Sequence, residues 1–108
     1  MNFNIEEMLS QMQEAIKSAV TKDWENISPK VKEILNVKTD IFLALLLKRF
    51  NSIIPEKEFE LLLNKEKIIL EIELLKFSKI TKRKAYKASE SAIKVIKEYN
   101  RETAEFFI

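Results

Sequence analysis

Six cations and no acid occupy the stretch KFSKITKRKAYKAS at 76–89: Lys76, Lys79, Lys82, Arg83, Lys84 and Lys87. Outside it, thirteen cations face seventeen acids, so the basic stretch stands out against an acidic background although the net charge is only +2. Closely spaced, mobile cations suit the phosphates of a nucleic-acid backbone, which they contact without reading sequence. Tyr86 is the one aromatic within the stretch, too few to build a stacking platform for single strands. The competing reading is a solvated helix face, the commoner fate of a charge run, with an acidic protein partner as a third.

A second cluster of charge, Glu56, Glu58, Glu60, Glu66, Glu71 and Glu73, invites comparison with carboxylate-bridged metal pairs in helical bundles. Such sites usually add histidine, and this chain has none. An all-oxygen site for magnesium or manganese is the remaining chemistry. Pairing of these acids with Lys57, Lys65 and Lys67 at the surface is the simpler expectation, and no metal or other cofactor is predicted.

The chain also lacks Cys and Gly. Without Cys there is no disulfide, thiolate ligand or cysteine nucleophile. Without Gly, the phosphate-binding loop, the dinucleotide fingerprint and the nucleophile elbow are excluded together, because each needs positive φ or close backbone approach to a ligand. A general base would have to be Glu, Asp, Lys or Tyr, and Ser89-Glu90-Ser91 is too weak a grouping to name as a nucleophile. The chain is therefore expected not to be an enzyme. MNFNIEEML has no basic segment leading into an apolar one, and the longest apolar run, Ile41–Leu47, is far short of the about 20 residues that cross a bilayer. These features predict a cytoplasmic protein that does not enter the membrane.

Positioning falls to helices, because sheets with tight turns consume the glycine this chain does not have. The fold predicted is all-α, one small helical bundle over 1–108 with a long C-terminal helix. Asn4 caps the first helix with Glu7 three residues on, and Phe3 and Met8 can form a staple across the cap. Ile5, Leu9, Met12, Ile16, Val20, Trp24 and Ile27 then keep to one face. Ser28-Pro29 signals a stop and a short second helix to about Leu35, and Thr39 or Asp40 a cap for a third ending near Asn51. The run Ile41–Leu47 marks that third helix as the most buried, with Phe42, Leu45, Leu46, Arg49 and Phe50 toward its partners.

Pro55 with Glu56 and Glu58 opens the last segment, where residues from Phe59 to Phe106 hold one apolar stripe at helical spacing. The alternative is α+β, a β-hairpin at about 57–75 with Phe59, Leu61 and Leu63 set against Ile68, Leu70 and Ile72. Leu, Glu and Lys content favours helix. Unbroken to Phe106 that helix would run about 75 Å, longer than one small chain can cover, so either it breaks near Asn64 or Ser78 or a second chain covers it. Lys76, Arg83, Lys87, Lys94 and Arg101 would then form one outer stripe.

The small-residue seam of Thr81, Ala85, Ala88 and Ala92, extended by Val95 and Tyr99, would admit another backbone closely. It predicts either a homodimer through the C-terminal helix or packing on the first helix of the same chain. Phe106-Phe107-Ile108 close their own core or a neighbour's groove. The function expected is a non-enzymatic helical interaction or assembly module, self-associating through its C-terminal helix and able to take a protein partner. The alternative is a subunit binding nucleic-acid backbone through 76–87.

Overall fold

Asn4 caps the first helix as its sequence context dictates: its side-chain oxygen accepts from the Glu7 N–H at 3.1 Å. The computed structural model describes the backbone of residues 4–106 and the side chains of 4–101. Phe3 and the Phe106–Ile108 side chains, and hence the staple and the C-terminal docking, lie outside the described residues. Four α-helices follow in order: α1 (Ile5–Val20), α2 (Trp24–Phe50), α3 (Glu56–Leu75) and α4 (Lys82–Phe106), with a 3-10 turn at Thr21–Asp23 between the first two. The fold is all-α. Residues 57–75 are helix throughout, so the hairpin alternative falls, as the helix-forming Leu, Glu and Lys content of the segment requires.

The interior departures from expectation have local causes. Helix α1 stops at Val20, well before Pro29, because Thr21 turns the chain with φ 53° and ψ −119°. Pro29 neither stops a helix nor starts one. It is the sixth residue of α2, exposed, and the carbonyl its missing N–H leaves free is that of Glu25, which faces water. Thr39 does not cap a new helix either: its hydroxyl donates to the Leu35 carbonyl at 3.2 Å, the backward bond a threonine makes inside a helix. The expected second and third helices are thus one helix of 27 residues, about 40 Å long, nearly the full 44 Å of the molecule.

Helix α2 ends in a Schellman arrangement with Ser52 where glycine usually stands. The Ile53 N–H donates to the Lys48 carbonyl at 2.8 Å and the Ser52 N–H to that of Arg49, with Ser52 at φ 55°. The Arg49 guanidinium then holds the loop by donating to the Ile54 carbonyl at 3.3 Å. The expected break near Ser78 is real, whereas Asn64 lies within α3. Phe77, Ser78 and Lys79 turn the chain, buried Ile80 plugs the turn, and Thr81 caps α4 by accepting from the Lys84 N–H at 3.2 Å.

The chain folds back on itself here, so no 75 Å rod forms. Asp23 against Lys84, Lys38 against Glu66 and Lys67 against Tyr86 set successive helices antiparallel, and α4 returns along α1. The result is an up-down-up-down bundle. One core runs through all four helices, from Met8, Met12 and Ile16 through Val31, Leu35 and Leu46 to Phe59, Leu63, Leu74, Ile93 and Ile96. The central helix is α4, which packs on each of the other three and most extensively on α1. The run Ile41–Leu47 is not the most buried. Phe42, Leu45 and Leu46 point inward, but Ile41 and Leu47 remain exposed because only one side of α2 meets the bundle.

Candidate functional site

The basic segment is not the middle of a helix. Lys76 ends α3, Lys79 lies in the turn, and Lys82, Arg83 and Lys84 form the first turn of α4, with Lys87 one turn on. Lys76 therefore does not share a helix stripe with Arg83, Lys87, Lys94 and Arg101. Two of the six cations have carboxylate partners: Lys76 reaches Glu73 at 2.8 Å, and Lys84 reaches Asp23 at 2.8 Å. Lys79, Lys82, Arg83 and Lys87 make no ion pair among the described residues.

The fold adds a cation that spacing along the chain could not reveal. Asp23 is buried in the turn after α1, and the Lys84 ammonium that bonds to it holds its carboxyl below the usual range. Lys22 and Lys79 act on it in the same direction from nearby. One end of the bundle thus gathers Lys22, Lys79, Lys82, Arg83 and Lys84, with Asp23 at its base. Three of these occupy the positive end of α4, whose first turn holds no acid. Cations there oppose the helix dipole by about 0.3–1 kcal/mol each at low salt, the reverse of the usual arrangement. Arg83 and Lys87 also border a shallow open groove with Ala15, Ser18 and Glu90.

Tyr86 sits beside this end, half-exposed, with the Lys67 ammonium 4.4 Å from its ring centroid. The Glu90 carboxylate, accepting from its hydroxyl and repelling the phenolate, holds the phenol above its ordinary value, with a further push from Glu71. Of the six acids at 56–73, Glu66 and Glu73 have ion pairs among the described residues, and their partners are Lys38 and Lys76 rather than the expected Lys57, Lys65 and Lys67. Lys38 Nζ lies 3.2 Å from Glu66 Oε2, close enough for an ion pair, although its geometry leaves that oxygen without a hydrogen bond. No group of three or more acids among the described residues could hold a metal ion.

The small-residue seam is inside the molecule. Ala85, Ala88 and Ala92 are fully buried, and Val95 and Tyr99 pack against the same core. Only Thr81, the cap, is exposed. The close approach that these alanines permit is used by the chain's own helices. It therefore does not present a free surface on α4.

The feature that sequence reasoning missed is on α3. Its inner side buries Phe59, Leu63, Leu70 and Leu74, yet Leu61, Ile68, Ile72 and Leu75 are 65, 48, 53 and 38% exposed. At 100° per residue these four fall on the side of α3 roughly opposite the buried set. The helix is apolar on two faces, and only one meets the bundle. The neighbouring stretch of α2 adds Val37 and Ile41, 73 and 41% exposed. The Lys38–Glu66 pair fixes the level at which the two helices meet, and antiparallel counting from it sets Val37 at about the level of Ile68 and Ile41 at about that of Leu61.

No protein-family model, curated protein or solved structure matches this chain. The reading of the site therefore stands on its own chemistry. Among the described residues no helix is long and apolar enough to cross a membrane. Exposed apolar side chains clustered on two adjacent helices suit a protein surface, since scattered single ones need no explanation but a contiguous set does.

Proposed function

We propose that the protein is a non-enzymatic helical interaction module that presents its α2–α3 face to a protein partner. The observation that carries this is the second apolar face of α3, Leu61, Ile68, Ile72 and Leu75, widened by Val37 and Ile41. The surface expected for contact thus moves from α4 to α3. A rim of Glu58, Lys65 and Glu71 around an apolar centre has the composition of a recognition patch. A cytoplasmic setting goes with this reading, since a chain without Cys gains nothing from an oxidising one.

The test is a photo-crosslinking residue in place of Ile68, compared with one at exposed Glu33 on the far part of α2. Protein adducts at 68 and none at 33 are expected in the native cell. Absence of adducts at both would sink the proposal.

One observation favours a second reading, binding of nucleic-acid backbone at the cationic end. It is the set of Lys22, Lys79, Lys82, Arg83 and Lys87, without an ion pair among the described residues and gathered at or beside the positive pole of α4. Five phosphate contacts would give a slope of about −4.5 in log K against log salt on a generic duplex. Reversing Lys79, Lys82 and Arg83 to Glu should abolish retention. A wild type that fails to bind at about 50 mM salt removes this reading.

A further inference from the structure

We infer that the occupant of the α2–α3 face is a second copy of this chain, docked with the two α3 helices antiparallel across a two-fold axis at Ile68; this rests on the interaction reading above. The sequence of the outer face carries the inference. Leu61 and Leu75 stand at equal distances on either side of Ile68, and all three are exposed. A two-fold there sets Ile68 on its own counterpart and Leu61 on Leu75, twice over.

The flanking charges agree with that pairing. Glu58 and Lys76 lie along the same edge of the stripe, ten residues before Ile68 and eight after it, so the antiparallel arrangement brings each Glu58 to the partner copy's Lys76. On the other edge Asn64 meets Glu71, while on the Glu58 side the Lys65 stem covers Ile72. In a parallel arrangement each edge of α3 would instead face the opposite edge of the partner helix, and Glu58 and Lys76, about 27 Å apart along the axis, could not meet. Lys76 is 65% exposed and its bond to Glu73 is a surface pair of small worth, so it is free to change partners.

Area supports a face rather than a single helix. The stripe from Leu61 to Leu75 is about 21 Å long by the helical rise, too little for a stable dimer alone. A standard interface takes about 800 Å2 per partner, so the contact has to extend past the stripe, and the exposed Val37 and Ile41 of the adjoining α2 are the apolar residues that could extend it.

The experiment is sedimentation equilibrium on the whole chain, whose monomer is 12.7 kDa. The wild type is expected at twice that mass. Ile68→Asp, which sets two carboxylates together at the axis, is expected to give a monomer that keeps its helix content, since Ile68 is outside the core, and whose melting temperature no longer depends on protein concentration. Glu58→Lys and Lys76→Glu should each weaken the dimer about tenfold, because the axis counts every pair twice, and the double exchange should restore it. A wild type monomeric at about 1 mM overturns the inference, as does a dimer that survives Ile68→Asp or a double exchange that fails to restore what the single ones lose. If the wild type is monomeric but the crosslinker at 68 captures a different protein, the interaction reading stands and only self-pairing falls. If it captures nothing, both fall.

Discussion

Replacing Ala88 by Leu distinguishes a seam used within the chain from one used between chains. Ala85, Ala88 and Ala92 are fully buried, and side chains this small permit close approach between helices. Leucine adds three carbons. Were there room, burying them would stabilise by about 0.8 kcal/mol each. A fully buried alanine in a close-packed seam leaves no such room, and overpacking of this kind destabilises by about 1–3 kcal/mol. For a domain near this size each kcal/mol shifts the melting temperature by about 4–8 °C, so a loss of about 2 kcal/mol lowers it by roughly 8–16 °C. The assay is a circular-dichroism melt at fixed protein concentration, with urea unfolding to show that the midpoint falls while the slope holds. Lys94→Leu, an exposed position on the same helix, should melt within a few degrees of the wild type. Unchanged melting of Ala88→Leu together with loss of a dimer would refute the intramolecular account of the seam.

Relief of backbone strain should stabilise the chain: Thr21→Gly, at φ 53° for a β-branched residue, is expected to gain about 1 kcal/mol after the glycine entropy is subtracted, read as a higher urea midpoint. Ser52→Gly in the Schellman position should gain somewhat less, and a loss at either site would show that the turn is held by its side chain instead. Acid stability should carry the signature of Asp23. Its carboxyl is held below the unfolded value by Lys84, so its contribution is full above about pH 4 and fades as pH falls through the lower folded value. Asp23→Asn should flatten the decline of melting temperature on acidification from about pH 5. An equally steep decline in that variant would assign the acid sensitivity to other carboxylates.

Much of the architecture was legible because it depends on neighbours in sequence. The Asn4 cap, the start of α3 after Pro55 and the inward face of α1 each follow from residues within a few positions of one another. The misreadings came from local signals that the whole chain overrode. Ser28-Pro29 resembles a helix start, but one exposed carbonyl without a partner is a small penalty against the buried Ile27, Val31 and Leu35 on the other side of the same helix. Thr39 resembles a cap, yet a threonine hydroxyl bonds equally well to the carbonyl four residues back. Sequence periodicity could not show whether the stripe from Phe59 to Phe106 was one rod or two segments meeting the same core, because a short turn need not disturb the register. The cationic end was half visible. Its six residues are contiguous, but Lys22 and Asp23 join it only once α1 and α4 lie antiparallel.

The two-faced character of α3 explains why its role was the hardest to read. A helix apolar on every side is usually the one at the centre of a protein, which is the expectation that Ile41–Leu47 raises. The same rule suits α3 better: Leu61, Leu62, Leu63, Ile68, Ile69, Leu70, Ile72, Leu74 and Leu75 surround most of its circumference. Its place in the bundle supplies partners for only half of that surface, since α4 and α2 cover its inner side and nothing in the chain's described residues covers Leu61, Ile68 or Ile72. Helix propensity alone cannot account for such residues there, because Lys, Glu or Gln would serve an exposed helix position as well without adding apolar surface. An apolar outer face on an otherwise well-charged protein is the surface that the proposed contact would bury, and it is α3 to which the proposal gives that role.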